Sequence, residues 1–211
     1  MAAGTGSEGP PRRRDPIKIV PYDARWPAAF AHEQTRIEAA LGKRLVGPVE
    51  HIGSTSIPGL AAKPIIDMLA LVEDYDQSAR VVAELGAIGW VHAPEPGDRE
   101  QRKWSFCFPD IAWRTHHLHI WENGSRRWRH LLLFRDHLRR HPDLATEYAR
   151  IKTDLAAADE HDRPRYRSGK APFIQDILRQ LDVPTEPFST SPCGPSDRRV
   201  GRGACTPRGS G

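Results

Sequence analysis

Apolar residues recur near multiples of 3.6 between Asp23 and Leu41, where DARWPAAFAHEQTRIEAAL sets Trp26, Phe30, Ile37 and Leu41 along one stripe. The spacing predicts an amphipathic helix, with Asp23 as its N-cap and Pro27 in a first turn that tolerates proline. The period then changes. Val49–Gly53 follows Gly47-Pro48 as a short strand, and Pro64–Val72, PIIDMLALV, is a nearly continuous apolar strand interrupted by one acid. A helix is predicted over Gln77–Leu85. From Lys103 the pattern is β: WSFCF, a turn at Pro109–Asp110, and WRTHHLHIWE read as an antiparallel hairpin. After Asn123-Gly124-Ser125 the chain turns helical, through RRWRHLLLFRDHLRRH, then Pro142–Ala158, then a segment around Pro172–Leu181. This order predicts an α+β fold: a mixed β-sheet flanked by helices, with a helical C-terminal part.

The chain of 211 residues is long enough for one domain with a real core. Residues 1–15 and 183–211 are Gly, Pro, Ser and Arg with little to bury, so both are expected to be disordered tails around a single domain at 16–182. Charge sharpens that division. Of the formal net charge of +4, the N-terminal tail carries +1 and the C-terminal tail +2, which leaves +1 for the body. Basicity therefore belongs to the ends, and the body gives little support for nucleic-acid binding. No run has the length of a membrane span, and MAAGTGSEGPPRRRDP lacks the apolar stretch of a secretory signal, so a cytoplasmic location away from membranes is expected. Cys107, Cys193 and Cys205 are odd in number and far apart, which suggests neither a disulfide framework nor a thiolate zinc site.

Chemistry concentrates in HIGSTSIPGLAAKPIID, from His51 to Asp67. A P-loop fails on spacing, because Leu60, Ala61 and Ala62 separate Gly59 from Lys63 and Pro64 stands where the hydroxyl belongs. A dinucleotide fingerprint is missing as well. The nucleotidyltransferase pattern fits better: an apolar residue and Gly-Ser end one element, and a strand carboxylate follows about a dozen residues later. Glycine admits a phosphate chain, serine donates to it, and the carboxylate holds a divalent cation beside it. Ile52-Gly53-Ser54 and Asp67 meet that spacing. The alternating second acid is absent, since Leu69 occupies its place.

Beyond spacing, HIGSTSIPGLAAKPIIDMLALV, RTHHLHIWENGSRRWRHLLLFRDHLRRHPDLATEYARIKTDLA and DRPRYRSGKAPFIQDIL together resemble the GrpB family, over roughly Ile17 to Leu181. The resemblance implies the nucleotidyltransferase superfamily fold and a pocket; the family has no settled reaction. Its members also occur fused to dephospho-coenzyme A kinase, which implies a nucleotide or cofactor context.

In THHLHI, alternation puts His117 and His119 on one face of a strand. Beside Asp67 they would make a two-histidine, one-carboxylate set, suited to Zn²⁺, Mn²⁺ or Fe²⁺ more than to Mg²⁺. Hydrogen bonding among these groups in a polar cleft is the alternative. Asp67 either faces a cleft as the catalytic or metal-binding acid or caps the Gly-Ser loop. Gly53, Ser54, Ser56 and Lys63 are the candidate phosphate contacts, with His51 only orienting the turn. Arg135, Lys152 and Lys170, prominent in the resemblance, either converge on an anionic substrate or stitch helices to the sheet. Three functions follow as expectations: a protein that binds a nucleotide or phosphorylated small molecule and transfers its nucleotidyl or phosphoryl group; a non-catalytic interaction or chaperone-like domain; a metal-dependent phosphohydrolase.

Overall fold

The computed structural model describes residues 13–181. Most of both predicted tails, with Cys193 and Cys205, lies outside the described residues. Arg13–Asp15, assigned above to the N-terminal tail, belong to the folded body. Arg13 pairs with Asp15 at 2.7 Å, Arg163 pairs with Asp15 at 3.2 Å, and the Arg14 amide donates to the Ala112 carbonyl. The buried Ile17 just beyond anchors this segment, a contact between residues too distant in sequence for local pattern to reveal.

The elements follow the predicted order, with one short strand, Val91–His92, that the sequence reading did not include. Helix α1 spans Trp26–Leu41, α2 Val81–Ala87, α3 Arg127–Arg140, α4 Pro142–Ala158 and α5 Arg163–Gln180. The strands are β1 Glu50–Ile52, β2 Ile66–Val72, β3 Val91–His92, β4 Lys103–Pro109 and β5 Arg114–Glu122. They form one mixed sheet in the order β1-β2-β5-β4-β3, in which β2 and β5 are parallel and every other pair is antiparallel. No helix of the described residues is long and apolar enough to cross a membrane.

The two faces of the sheet have different fates. Met68, Ala70 and Val72 of β2, Leu118 and Ile120 of β5 and Phe106 of β4 pack with Trp26, Ile37 and Leu41 of α1 and with Val81 and Leu85 of α2 as the main core. Each fully buried Val, Leu, Ile, Phe or Met among them contributes about 1.5–3 kcal/mol before entropy is set against it. The opposite face carries Asp67, His117, His119 and Trp121, and α3, α4 and α5 cover it only in part. A second apolar cluster, with Leu138, Tyr148 and Ile177, binds those helices to Ile57 and Leu60 of the loop before β2.

Three boundaries differ from the sequence reading. Asp23 does not cap α1 directly: its carboxylate accepts from the Arg25 amide at 2.9 Å, forming a turn that delays the helix until Trp26. The segment at 77–85 is split into a 3₁₀ turn, Asp76–Ser78, and α2. Helix α5 begins nine residues earlier than Pro172. Asp162 caps it by accepting from the Arg165 amide at 2.9 Å, and Gly169 is an adaptation to packing, since a Cβ there would lie 2.4 Å from Leu155 of α4. Gly and Pro look like punctuation only when the neighbouring helix is out of sight.

Lys152 fastens α4 to the loop before β2. It is 1% exposed, its Nζ donates to the Ala61 carbonyl at 2.6 Å and stands 4.8 Å from the Tyr148 ring centre. Burial lowers its proton affinity from the usual lysine value of 10.5 to about 7. Between these values the unfolded chain holds a proton that the folded one has released, so stability contributed by this position rises with pH from about 7 to 10.5. Urea denaturation across that window is expected to show a flatter pH dependence for Lys152→Met than for the wild type; an unchanged slope would contradict the assignment.

Candidate functional site

Parallel pairing of β2 with β5 decides the geometry. The register sets Asp67 against His117 and Leu69 against His119, so an acid and two imidazoles from segments fifty residues apart share one open face. The His117 Nδ1 lies 3.0 Å from the Asp67 Oδ1. One ligand atom from each of Asp67, His117 and His119 falls within 4.8 Å of the other two. Adjacent ligands of a metal bound at about 2.0–2.2 Å sit roughly 3 Å apart, so the Asp67–His117 spacing serves a hydrogen bond or joint coordination equally well. The buried His117 Nε2 has no hydrogen-bond partner among the described residues, while His119 Nδ1 is 3.4 Å from the Ser105 hydroxyl.

The Gly53-Ser54 turn closes over this acid. Gly53 has φ +70° and ψ −173°, a region open in practice only to glycine, and a Cβ there would lie 2.5 Å from the Asp67 Oδ2. Glycine is thus required twice, once for the dihedrals and once for room beside the carboxylate. A 3₁₀ turn, Ser54–Ser56, follows, in which the Ser56 and Ile57 amides bond to the carbonyls of Gly53 and Ser54. Among the described residues no acceptor meets the amides of Ser54 and Thr55.

Asp67 retains 33% side-chain exposure because it opens into a cavity of about 560 Å³ rather than to the outer surface. The sheet and the turn form its floor, through Gly53, Ser54, Asp67, His117, His119 and Trp121. Its walls are basic: Arg163, Tyr166, Arg167 and Lys170 from successive turns of α5, Arg13 from the N-terminal segment, Lys63 from the loop and Lys103 from β4. Acids are few. Glu95, beside Lys103 at 3.5 Å, is the other carboxylate of the lining.

Protonation states follow from these neighbours. Burial would raise the Asp67 pKa, but the His117 hydrogen bond and the charges of His117, His119 and Lys63 outweigh it and hold the group at about 2. Burial, helped by nearby Lys103, lowers the proton affinity of His119, which keeps its nitrogens available as ligands near neutrality. Burial and the cations Arg13 and Arg163 bring Lys63 down to about 7.

Of the predicted site residues, the structure brings together Gly53, Ser54, Lys63, Asp67, His117, His119 and Lys170. Ser56, Arg135 and Lys152 lie outside the cavity lining and are engaged elsewhere. The Ser56 hydroxyl donates to the Gly53 carbonyl at 2.6 Å, and its own carbonyl accepts from Arg139. Arg135 is buried and donates to Glu50 at 2.7 Å, to Asp136 at 2.7 Å and to the His51 carbonyl at 2.9 Å, which ties α3 to β1. Lys152 is spent on Ala61, as described. Arg135 and Lys152 thus tie helices to the sheet and to the loop before β2, the alternative reading of their charge. His51 points to the opposite face, stacked on Phe30 at 4.6 Å with Nε2 3.1 Å from the Thr55 hydroxyl.

Sequence reasoning missed Arg13, Lys103, Arg163 and Arg167. A helical signal did exist for two of them: positions 163, 166, 167 and 170 fall on one face of α5 once that helix is extended through Gly169. Arg13 and Lys103 arrive through tertiary contacts alone.

A model described as GrpB protein matches residues 16–180. The chain belongs to the GrpB family. The glutamate-rich protein GrpB of Alkalihalophilus pseudofirmus is 30% identical over 167 residues, covering 78% of this chain and 95% of that protein. The UPF0157 protein YqkA of Bacillus subtilis is 36% identical over 165 residues, covering 78% of this chain but only 46% of that protein. A dephospho-CoA kinase of Mycolicibacterium paratuberculosis is 28% identical over 192 residues, with 79% of this chain and again 46% of the relative covered. The chain thus spans less than half the length of two of these relatives. Among solved structures, the crystal structure of conserved protein GrpB from Enterococcus faecalis superposes with a TM-score of 0.68 at 30% identity, covering 78% of this chain and 99% of that one. The α+β GrpB fold, mixed sheet and helical C-terminal part included, is the one read from the sequence.

Proposed function

We propose that the GrpB cavity binds a nucleotide or another phosphorylated small molecule, with its phosphate against the Gly53-Ser54 turn and a divalent cation on Asp67, His117 and His119. The observation that carries this reading is the meeting of those three side chains on the floor of a hollow whose walls are mostly cationic. Donor chemistry agrees: one ionised carboxylate and two histidines suit Mn²⁺ or Zn²⁺ better than Mg²⁺. A cation bound there would neutralise phosphate oxygens and polarise the phosphorus for nucleotidyl or phosphoryl transfer.

The protein's own groups supply the rest. The turn offers the amides of Ser54 and Thr55 to the anion, while the Ser54 hydroxyl pairs with Tyr148, and the rigid β2–β5 pairing fixes their relation to Asp67. Leu69, on the same face two residues after Asp67, stands where a second carboxylate would be needed for a paired-metal centre. A single cation therefore matches this floor. Calorimetric titration with ATP, CTP, GTP and dephospho-coenzyme A, each with and without Mn²⁺, tests the reading. Mn²⁺ is expected to strengthen the binding of at least one compound, and Asp67→Asn to lose that strengthening; no binding in any combination would refute the proposal.

A further inference from the structure

We propose that the α5 wall is a second anion subsite, formed by Lys63, Arg167 and Lys170 around the Tyr166 ring and built for the far end of a phosphate chain. The inference rests on the reading of the cavity as a phosphate site and specifies its ligand: two anionic groups, one on the floor and one on this wall.

The geometry supports a ligand of that kind. Two ammonium groups converge on one buried aromatic ring, Lys170 Nζ at 4.6 Å and Lys63 Nζ at 5.7 Å from the Tyr166 ring centre. Both lysines line the cavity, and among the described residues neither they nor Arg167 form an ion pair. Gathering like charges in a hollow is unfavourable, and the ring's negative face offsets only part of it. Asp67 is the carboxylate whose charge reaches both lysines, and it already accepts from His117. The other cations nearby, Arg13 and Arg163, share Asp15. A polyanion in the cavity completes this arrangement, because an ammonium gains a charge-assisted hydrogen bond for each phosphate oxygen it meets.

Proton linkage gives the subsite a signature of its own. The groups facing Lys63 are Arg13 and Asp15 from the N-terminal segment, Arg163, Tyr166 and Lys170 from α5, and Asp67 from β2. The three cations outnumber the two acids and, with burial, leave Lys63 partly neutral above pH 7. An anion placed against it draws a proton back.

Inorganic triphosphate is the probe, titrated at pH 8 in EDTA, in two buffers of different ionisation enthalpy, with ATP as a parallel arm. Triphosphate is expected to bind with proton uptake, and Lys63→Met with Lys170→Met to weaken it at least about tenfold while Mn²⁺ affinity, measured separately, stays within twofold. Equal binding of ATP and triphosphate identifies a phosphate-chain site; tighter binding of ATP adds contacts to its nucleoside. Absence of triphosphate binding, binding without proton uptake, or an undiminished affinity in the double variant overturns the subsite. The two readings separate cleanly: Mn²⁺ binding without triphosphate binding removes the wall and leaves the floor, and the reverse removes the floor. The proton-uptake measurement uses the unaltered protein and so stands even where the double variant fails to fold.

Discussion

Replacing Asp67 with asparagine is expected to weaken Mn²⁺ or Zn²⁺ binding by more than about a hundredfold, beyond the roughly 10–100-fold typical of losing an outer-shell partner. The substitution preserves shape, so the amide oxygen still accepts from His117 and the β2–β5 register is untouched. What disappears is the negative charge. Asp67 is held at a pKa of about 2, hence fully ionised at any pH where the protein is handled, and it is the acid that the two histidines meet. An uncharged amide oxygen beside two imidazoles and several lysines leaves a cation with no compensating charge. Fluorescence or calorimetric titration of metal into both proteins measures the effect, and equal affinities would mean that the histidines bind without the acid or that metal binds elsewhere.

The second large effect is expected at Gly53. Gly53→Ala forces a non-glycine residue into φ +70°, ψ −173°, a conformation that costs about 1–3 kcal/mol in strain. It also drives a methyl group to 2.5 Å from the Asp67 Oδ2 and 3.0 Å from the Asp67 Cβ. Asp67 cannot retreat freely, since it sits in a central strand paired to Ile52 on one side and His117 on the other. A total loss of roughly 2–4 kcal/mol is expected in urea denaturation, with metal affinity falling in parallel because the carboxylate is displaced. A variant as stable as the wild type would show that the turn is loose and that the glycine is not fitted to the acid.

The two substitutions separate chemistry from shape. Asp67→Asn removes charge at constant volume, whereas Gly53→Ala adds volume at constant charge. If the floor is one assembled site, both weaken metal binding, the first through lost charge and the second through strain and a displaced carboxylate.

Much of this floor was legible along the chain, and the reasons are physical. Alternation in a strand is local, so THHLHI alone places His117 and His119 on one side, and Asp67 within PIIDMLALV is too costly to bury without partners. Their meeting is not local. It depends on β2 and β5 being parallel neighbours, and forty-odd intervening residues with a helix and two further strands must fold to bring that about. The wall was harder to read. Residues 163–170 carry a helical pattern masked by Gly169 and Pro172, and Gly169 makes sense only with Leu155 of α4 against it. Arg135 and Lys152 show the opposite difficulty. A conspicuous cation looks like a ligand group until its partners are visible, and here those partners are Glu50, Asp136, His51 and Ala61. Charge in a sequence is read easily, but whether it is already satisfied depends on contacts between distant segments.

The most direct measurement is a crystal soaked in Mn²⁺ with diffraction recorded at the manganese absorption edge. The account predicts one anomalous peak on the cavity floor, about 2.0–2.3 Å from a carboxylate oxygen of Asp67 and from one imidazole nitrogen each of His117 and His119. A peak on other residues, or no peak while the Asp67–His117 hydrogen bond stays in place, would contradict it.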